Sequence, residues 1–408
     1  MKSAQYLLIG GGLASGQAAK ELRGKDPHGS IVLVGEEPHV PYDRPPLSKE
    51  FLRGEKSRDE LFFDPAQYFR DQRVDLLLGV SVERLDLRTK TAVLGSGDSI
   101  AFEKALIATG GRPIRLKLPG GDLPGVYYLR TLEDSAALAA EAGSDRRAVI
   151  IGAGFIGMEV AASLTQKGVR VSVIEALPRI WARFADTTLA SFVQEYCVQK
   201  GVTFSTNEVV TEIRGKDRSS AVVTKSGKEI PCDFVCIGVG IVPNVELAQQ
   251  AGLKVDNGIV VDEYLQSSHP DIYAAGDVAN YFDPLFGKRR RVEHWGHAEY
   301  CGQLAGQNMA GARNSYDLLT YVWSDIFDLH LEFAGDESEH DRVLLRGRVA
   351  EKSFTVLYLQ QNVLRAYFAI NVTAREFPVL QGLIKRKKDL AGKETELQDP
   401  TFPLKSLL

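Results

Sequence analysis

The sequence predicts an α/β fold: two Rossmann-like units, one inserted into the other, followed by a C-terminal α+β domain. Two copies of a strand–glycine turn–helix–strand fingerprint predict the Rossmann-like part. One copy begins at Tyr6-Leu-Leu-Ile-Gly-Gly-Gly-Leu-Ala-Ser15 and the other at Ala148-Val-Ile-Ile-Gly-Ala-Gly-Phe-Ile-Gly157. Two alternating apolar runs, Phe354 to Leu359 and Leu364 to Ile370, predict an antiparallel strand pair in the last domain.

The elements follow in order. Residues Gln17 to Arg23 carry a helical pattern and Ser30 to Val34 a buried strand. A proline-rich loop, Pro38 to Pro46, leads to a helix start at Leu47-Ser-Lys-Glu50. Short strands are expected from Val74 to Leu94, and a buried strand at Ala105 to Gly110. The linker Gly111 to Gly121 opens the second unit, with a helix at Ile156 to Gln166, a strand at Arg170 to Ile174 and a helix at Thr187 to Lys200. Strands at Ile259 to Asp262 and Asp271 to Asp277 and a helix at Ala298 to Met309 return to the style of the first unit. A helix is expected from Arg375 to about Lys388. The expected domains are therefore 1–112 with 241–314, then 113–240, then 315–408.

Composition narrows the function. The chain has 408 residues, 44% hydrophobic and 25% charged, with a net charge of −4. Such a balance creates no field for nucleic acid or a membrane surface, so neither partner is expected. The apolar run Tyr6 to Ala14 is shorter than the roughly 20 residues a spanning helix needs. It also belongs to the first fingerprint, so a cytoplasmic protein is expected. Cys232 and Cys236 lie four apart on one strand, roughly 13 Å. A disulfide needs Cα atoms within about 7 Å, so they read as reduced core residues. His294 and His297 flank Trp295 without a carboxylate pattern, and no metal is expected.

The fingerprints carry the chemistry. Gly10 and Gly152 permit a tight turn, and Gly12 and Gly154 let the backbone approach a pyrophosphate. Gly157 allows close helix–strand packing, and Ser15 takes that place in the first copy. The anion then lies at a helix N-terminus, where free N–H groups and the dipole favour negative charge. Glu36 lies 24 residues after Gly12 and Glu175 lies 21 after Gly154. Both are placed to accept from ribose hydroxyls, and a carboxylate repels a 2′-phosphate, which favours NAD over NADP. Arg179 and Arg183 are the features that would suit NADP. In Tyr273-Ala-Ala-Gly-Asp277 a strand delivers a carboxylate at a glycine turn, where it can accept from a ribityl chain. Together with the first fingerprint, that points to FAD.

With these motifs the chain resembles the FAD/NAD-linked reductases that reduce bacterial ferredoxins, putidaredoxin and rubredoxin. Those proteins serve Rieske dioxygenases and cytochromes P450, within the wider glutathione-reductase-type fold. The resemblance covers essentially the whole chain. It is carried by Pro41 to Lys49, Tyr128 to Asp134, Gly152 to Glu159, Ala275 to Asp277 and Tyr321 to Asp325. It implies that Ala14, Glu36, Lys49, Val82, Arg130, Asp277 and Trp295 contact FAD, with Arg44 against its adenosine half. It implies an NADH site of Gly154, Ile156, Glu159, Glu175, Arg183 and the turn ending at Gly240. Lys49 and Glu159 would pair beside the isoalloxazine, the cation stabilising reduced flavin and the carboxylate holding the nicotinamide carboxamide. Trp295 and Trp323 would bracket the end of the flavin where electrons leave.

The resemblance further implies an acidic ferredoxin or rubredoxin as partner. The basic runs Lys288 to Arg291 and Lys385 to Lys388 suit such a surface, with Arg289, Arg290 and Arg291 nearest the tryptophans. A monomer or homodimer is expected. Disulfide reductases of this fold carry a C-x-x-x-x-C pair after the first unit. Here the same stretch, Tyr42 to Lys49, holds no cysteine, so single-electron output is expected. Monodehydroascorbate reductase and apoptosis-inducing factor share the fold and stand as alternatives. The C-terminal domain lacks a long insertion, which argues against the second.

Overall fold

The computed structural model describes residues 2–408. By backbone contacts the chain forms two compact units. One holds the chain up to Asp43, Arg58–Arg112 and Val242–Thr320; the other holds Arg44–Ser57, Pro113–Ile241 and Tyr321–Leu408.

The first unit is built on a sheet in the order Val74–Leu78, Ile31–Gly35, Lys2–Ile9, Ser99–Ile107, Thr91–Leu94, Val82–Asp86, with Ile272–Ala274 also paired to Ser99–Ile107. The strands around Lys2–Ile9 are parallel, with Leu7 opposite Val32 on one side and Ala105 on the other. Leu7, Leu8, Leu33, Ala105 and Leu106 are wholly buried, as expected of a parallel sheet covered on both faces. The first helix runs Leu13–Lys25, four residues longer at its start than the apolar pattern predicts, because Gly12 itself is the N-cap. This helix packs against Trp295–Met309. A Cβ on Gly302 would lie 2.3 Å from the Ala14 carbonyl oxygen, and one on Gly306 would lie 2.7 Å from that of Ala18. Two glycines thus let the helix backbones touch, and they fix Ala14 beside the helix that begins at Trp295.

In the second unit a parallel sheet runs Thr203–Ser205, Arg170–Ile174, Arg147–Ile151, Phe234–Ile237, Val126–Tyr128. Cys232 and Cys236 are buried on or beside it, and all four cysteines are free and buried. The C-terminal part is a five-stranded antiparallel sheet, ordered Tyr321–Ile326, Leu329–Gly335, Val363–Ile370, Ser353–Gln360, Arg342–Arg348, with the helix Phe377–Arg386 packed on it. The expected antiparallel pair is its centre, with Val356 opposite Phe368. Three further strands were not visible in the sequence. Phe354, Val356, Phe368 and Ile370 share one apolar core with Val160, Leu164 and Val193 of the fingerprint domain, which places residues 321–408 and 113–241 in one unit. Among the described residues no helix is long and apolar enough to cross a membrane.

Candidate functional site

Both fingerprint turns have the same build. Gly10 has φ +121 and Gly152 φ +102, the left-handed region that favours glycine. A Cβ there would also collide, 2.2 Å from the Ala108 oxygen and 2.4 Å from the Gly238 oxygen. Gly157 is forced by packing, since its Cβ would lie 2.1 Å from the Gly152 oxygen. Gly12 and Gly154 differ: a Cβ on either would meet no protein atom within 4 Å. Packing therefore does not demand glycine at these two positions, and the open backbone there leaves room for the close approach of a pyrophosphate. Both are helix N-caps without a side-chain cap, and neither helix has an acid in its first turn. Two helix N-termini with uncapped N–H groups are suited to anions.

Several buried polar atoms across the chain have no hydrogen-bond partner among the described residues, and two of them, Ser15 Oγ and Trp295 Nε1, belong to residues of the first unit at or near the starts of the two packed helices. Buried polar groups are normally satisfied, so these two fit groups supplied by a bound nucleotide. Gly276 of the Gly-Asp turn approaches Ala14, where a Cβ would lie 3.4 Å from that of Ala14. Ala14 and Asp277 are thus neighbours by construction. Trp295 lies 6.2 Å from Phe63, centroid to centroid. Glu36 is exposed just beyond Ile31–Gly35, and Val82 is half-buried. These residues fit an FAD cradle.

In the second unit Glu175 aims back at its own turn. Its Oε2 accepts from Ala153 N–H and its Oε1 from Leu177 N–H, both at 2.8 Å. Ile156 is 45% exposed at the helix start, and Arg183 and Gly240 are exposed. Arg44 Nη1 donates to the Arg130 carbonyl at 2.6 Å, while Thr131 and Asp134 cap the helix that follows.

The densest cluster lies around Glu159. The loop reaching it is a short 3-10 turn, Pro45–Ser48, followed by the helix Glu50–Arg53. Ser135 Oγ donates to Leu47 O at 2.6 Å and Ser163 Oγ to Ser48 O at 2.7 Å, which pin the turn. Lys49, between turn and helix, places its ammonium 3.7 Å from Glu159 Oε1 and 4.5 Å from the centre of the Trp323 ring. Lys49 is 3% and Glu159 5% exposed. Ser48 donates its hydroxyl to Glu159 Oε2, and Ser324 donates to Oε1 at 2.5 Å. The two serines fall inside the stretches Pro41 to Lys49 and Tyr321 to Asp325, but the sequence assigns them no role. Next on the strand, Asp325 bonds His330 at 2.8 Å, which holds the Asp325 carboxyl below its usual range, assisted by Lys49 and Arg53.

The first basic run is engaged within the fold. Arg289 Nη1 donates to the Val261 and Asn280 carbonyls at 2.8 and 3.0 Å, and Arg290 pairs with Asp283 at 3.1 Å. Arg291 pairs with Glu293 at 2.6 Å and donates to the Asp277 carbonyl at 3.2 Å. The second run, Lys385 to Lys388, is exposed throughout. Burial raises the thiols of Cys197, Cys232 and Cys236 to about 12, so none is a ready thiolate. Among the described residues no His, Cys, Asp and Glu side chains gather as a metal site.

Residues 4–302 match the pyridine nucleotide-disulphide oxidoreductase model and 321–408 the reductase C-terminal model. Rhodocoxin reductase of Rhodococcus erythropolis is 39% identical over 353 residues, covering 86% of this chain and 82% of its own. The ferredoxin–NAD(+) reductase component of the anthranilate 1,2-dioxygenase system of Burkholderia cepacia is 33% identical over the full length of both chains. Among solved structures, the reductase in a covalent putidaredoxin reductase–putidaredoxin complex superposes with a TM-score of 0.95 at 30% identity, covering 100% of this chain and 98% of its own.

Proposed function

The chain belongs to the pyridine nucleotide-disulphide oxidoreductase family, and from that premise we propose that it is an NADH-dependent flavoprotein reductase of the ferredoxin–NAD(+) type. It takes electrons from NADH through FAD and passes them singly to an iron–sulfur ferredoxin or a rubredoxin feeding an oxygenase or cytochrome P450. The family name includes disulphide reduction, but this chain has no cysteine pair beside the first fingerprint, and its four cysteines are buried. The observation that carries the reading is the buried contact between Lys49 and Glu159, on the helix that opens at Gly154.

Bound FAD would supply the redox chemistry, accepting a hydride and releasing electrons one at a time. The chain's own residues bind and orient. Gly10, Gly12, Ala14, Glu36, Val82, Asp277 and Trp295, with Arg44, Lys49 and Arg130, would contact FAD. The turn Gly152 to Gly154 and the helix N-terminus after it would present N–H groups to the NADH pyrophosphate, with Gly157 letting the helix pack close to the turn. Ile156, Arg183 and Gly240 line the same site, and Glu175 keeps lone pairs for ribose hydroxyls beside its two backbone bonds. Glu159 orients the nicotinamide carboxamide. Lys49, with little water around it, adds a fixed positive charge where negative charge gathers on reduction. Residues 113–240 act as the NAD-binding domain, 1–112 with 241–314 as the FAD-binding domain, and 315–408 as the C-terminal domain. An acidic partner docks near Trp295, Trp323 and Arg289 to Arg291, with the protein cytoplasmic and a monomer or homodimer.

The test is anaerobic mixing of the purified protein. NADH is expected to bleach its flavin bands, and oxidised ferredoxin to restore them. Absence of flavin bands, or bleaching that ferredoxin does not reverse, overturns the reading.

A further inference from the structure

Glu159 has an unusual number of fixed partners for a carboxylate on the side of a helix. Oε2 accepts the Ser48 hydroxyl and Oε1 the Ser324 hydroxyl, while Lys49 stands 3.7 Å from Oε1 without a hydrogen bond of ordinary length. The two serines are 2% and 1% exposed, so water does not compete for these bonds. Ser48 has a second acceptor within reach, the Pro45 carbonyl at 3.4 Å, and the Glu159 contact is much the shorter. A serine hydroxyl has one hydrogen to give, so that hydrogen goes to the carboxylate. The donors come from elements far apart in the chain: one from the turn Pro45–Ser48, the other from the strand Tyr321–Ile326.

We infer that Ser48 and Ser324 are positioning residues for the nicotinamide end of the NADH site, acting through Glu159. This rests on the proposed NADH-dependent reduction. A glutamate has three side-chain torsions, and an ammonium at 3.7 Å alone would draw the carboxylate toward Lys49. Two hydroxyl bonds, one to each oxygen, fix the plane and rotation of the carboxylate. They keep it from collapsing onto Lys49, so the cation stays over the Trp323 ring at 4.5 Å. Remaining lone pairs on the two oxygens then face in set directions, as a carboxamide N–H requires. Because both serines hold one group, their effects are coupled rather than additive.

Ser48→Ala, Ser324→Ala and the double variant test this, with Ser219→Ala as the control. Ser219 is equally buried and donates its hydroxyl to the Gly125 carbonyl at 3.2 Å, away from Glu159 and from the turn that carries Ser48. Two readouts are taken beside melting temperature: NAD+ affinity by titration calorimetry on the flavin-loaded protein, and flavin bleaching at saturating NADH. Each single variant is expected to lose about tenfold in NAD+ affinity or bleaching rate, the size of one hydrogen bond to a charged group. The double variant is expected to fall short of the product of the two losses, and Ser219→Ala to change melting temperature alone. Ser324→Thr, which keeps the hydroxyl, is expected to restore both readouts. Serine variants that lower the melting temperature but match Ser219→Ala in both readouts overturn the inference. A wild-type protein that NADH does not bleach overturns the underlying function instead.

Discussion

The ammonium of Lys49 lies 3.7 Å from Oε1 of Glu159, and both side chains are almost completely buried. Removing one member of a buried pair typically costs about 3–5 kcal/mol, because the remaining charge is left uncompensated. Here two hydroxyls also serve the carboxylate, which reduces that cost when Lys49 is the member lost. Lys49→Met keeps most of the side-chain length and removes the charge. It is expected to fold, to retain flavin at wild-type stoichiometry, and to be reduced by NADH at least about tenfold more slowly, as for loss of one electrostatic stabiliser. Stopped-flow absorbance at saturating NADH measures this, and an unchanged rate removes Lys49 from the site.

Glu175 is held by Ala153 N–H and Leu177 N–H, so its negative charge is fixed at the nucleotide turn. A 2′-phosphate would meet that charge at close range, and the nearest basic residues of the same segment, Arg179 and Arg183, are not paired with it by any hydrogen bond among the described residues. The wild-type protein is therefore expected to prefer NADH in kcat/KM. Glu175→Gln keeps an acceptor and loses the charge, and the NADH-to-NADPH ratio is expected to fall about tenfold. A wild-type preference for NADPH would refute the argument.

Arg289, Arg290 and Arg291 combine internal bonds with the proposed docking role, so charge reversal there acts on stability and on partner binding together. Long-range steering is screened by salt over about 8–10 Å, whereas bonds to buried carbonyls are screened far less. Glutamate at these positions is expected to raise KM for ferredoxin most at low ionic strength, and to lower melting temperature at all ionic strengths. Glutamate at Lys385, Lys387 and Lys388, all exposed, serves as the comparison. A salt-dependent rise in KM in that set alone would move docking to the C-terminal helix.

The sequence shows those parts of the fold that depend on local geometry. Gly10, Gly12, Gly152 and Gly154 are legible because a strand-to-helix turn over a ligand constrains residues a few positions apart. The central strands Ser353–Gln360 and Val363–Ile370 are legible because Phe354 to Leu359 and Leu364 to Ile370 read as alternating, apolar-rich runs. Arg342–Arg348 is a strand of the same sheet, but its three arginines and exposed edge hide the alternation. Ser48 and Ser324 are hidden for a different reason. They lie inside two of the stretches that carry the resemblance, but they meet Glu159 across 111 and 165 residues of chain, so their shared partner leaves no local pattern. The run Lys288 to Arg291 reads as one charged surface, yet in the fold its arginines turn to separate partners, Asn280, Asp283 and Asp277 among them. Charge is visible in a sequence; what neutralises it is set by topology.

His297 makes folding pH-dependent from inside the first unit. It is fully buried, stacked on Tyr281 at 4.9 Å, with Nδ1 3.1 Å from the Tyr316 hydroxyl and Cys301 Sγ 3.4 Å from Nε2. Burial pushes it down from 6.5 to about 3; Asp277 opposes this, and Arg290 and His294 add to it. The unfolded chain takes up a proton near 6.5, while the folded chain refuses it until about 3. Between those values the unfolded state binds more protons, so stability is intact above 6.5 and falls as the pH drops. The slope approaches about 1.4 kcal/mol per pH unit for one proton. His330, raised by its bond to Asp325, and the Glu299 and Glu332 carboxyls, raised by burial, also bear on this range, so the His297 contribution is read as the difference between wild type and His297→Gln. Urea unfolding at pH 7.5, 6.5, 5.8 and 5 is expected to show the wild type losing stability relative to His297→Gln across that window. Parallel curves would mean that His297 is protonated in the folded protein, and that the Tyr281–Tyr316 pocket admits a charge.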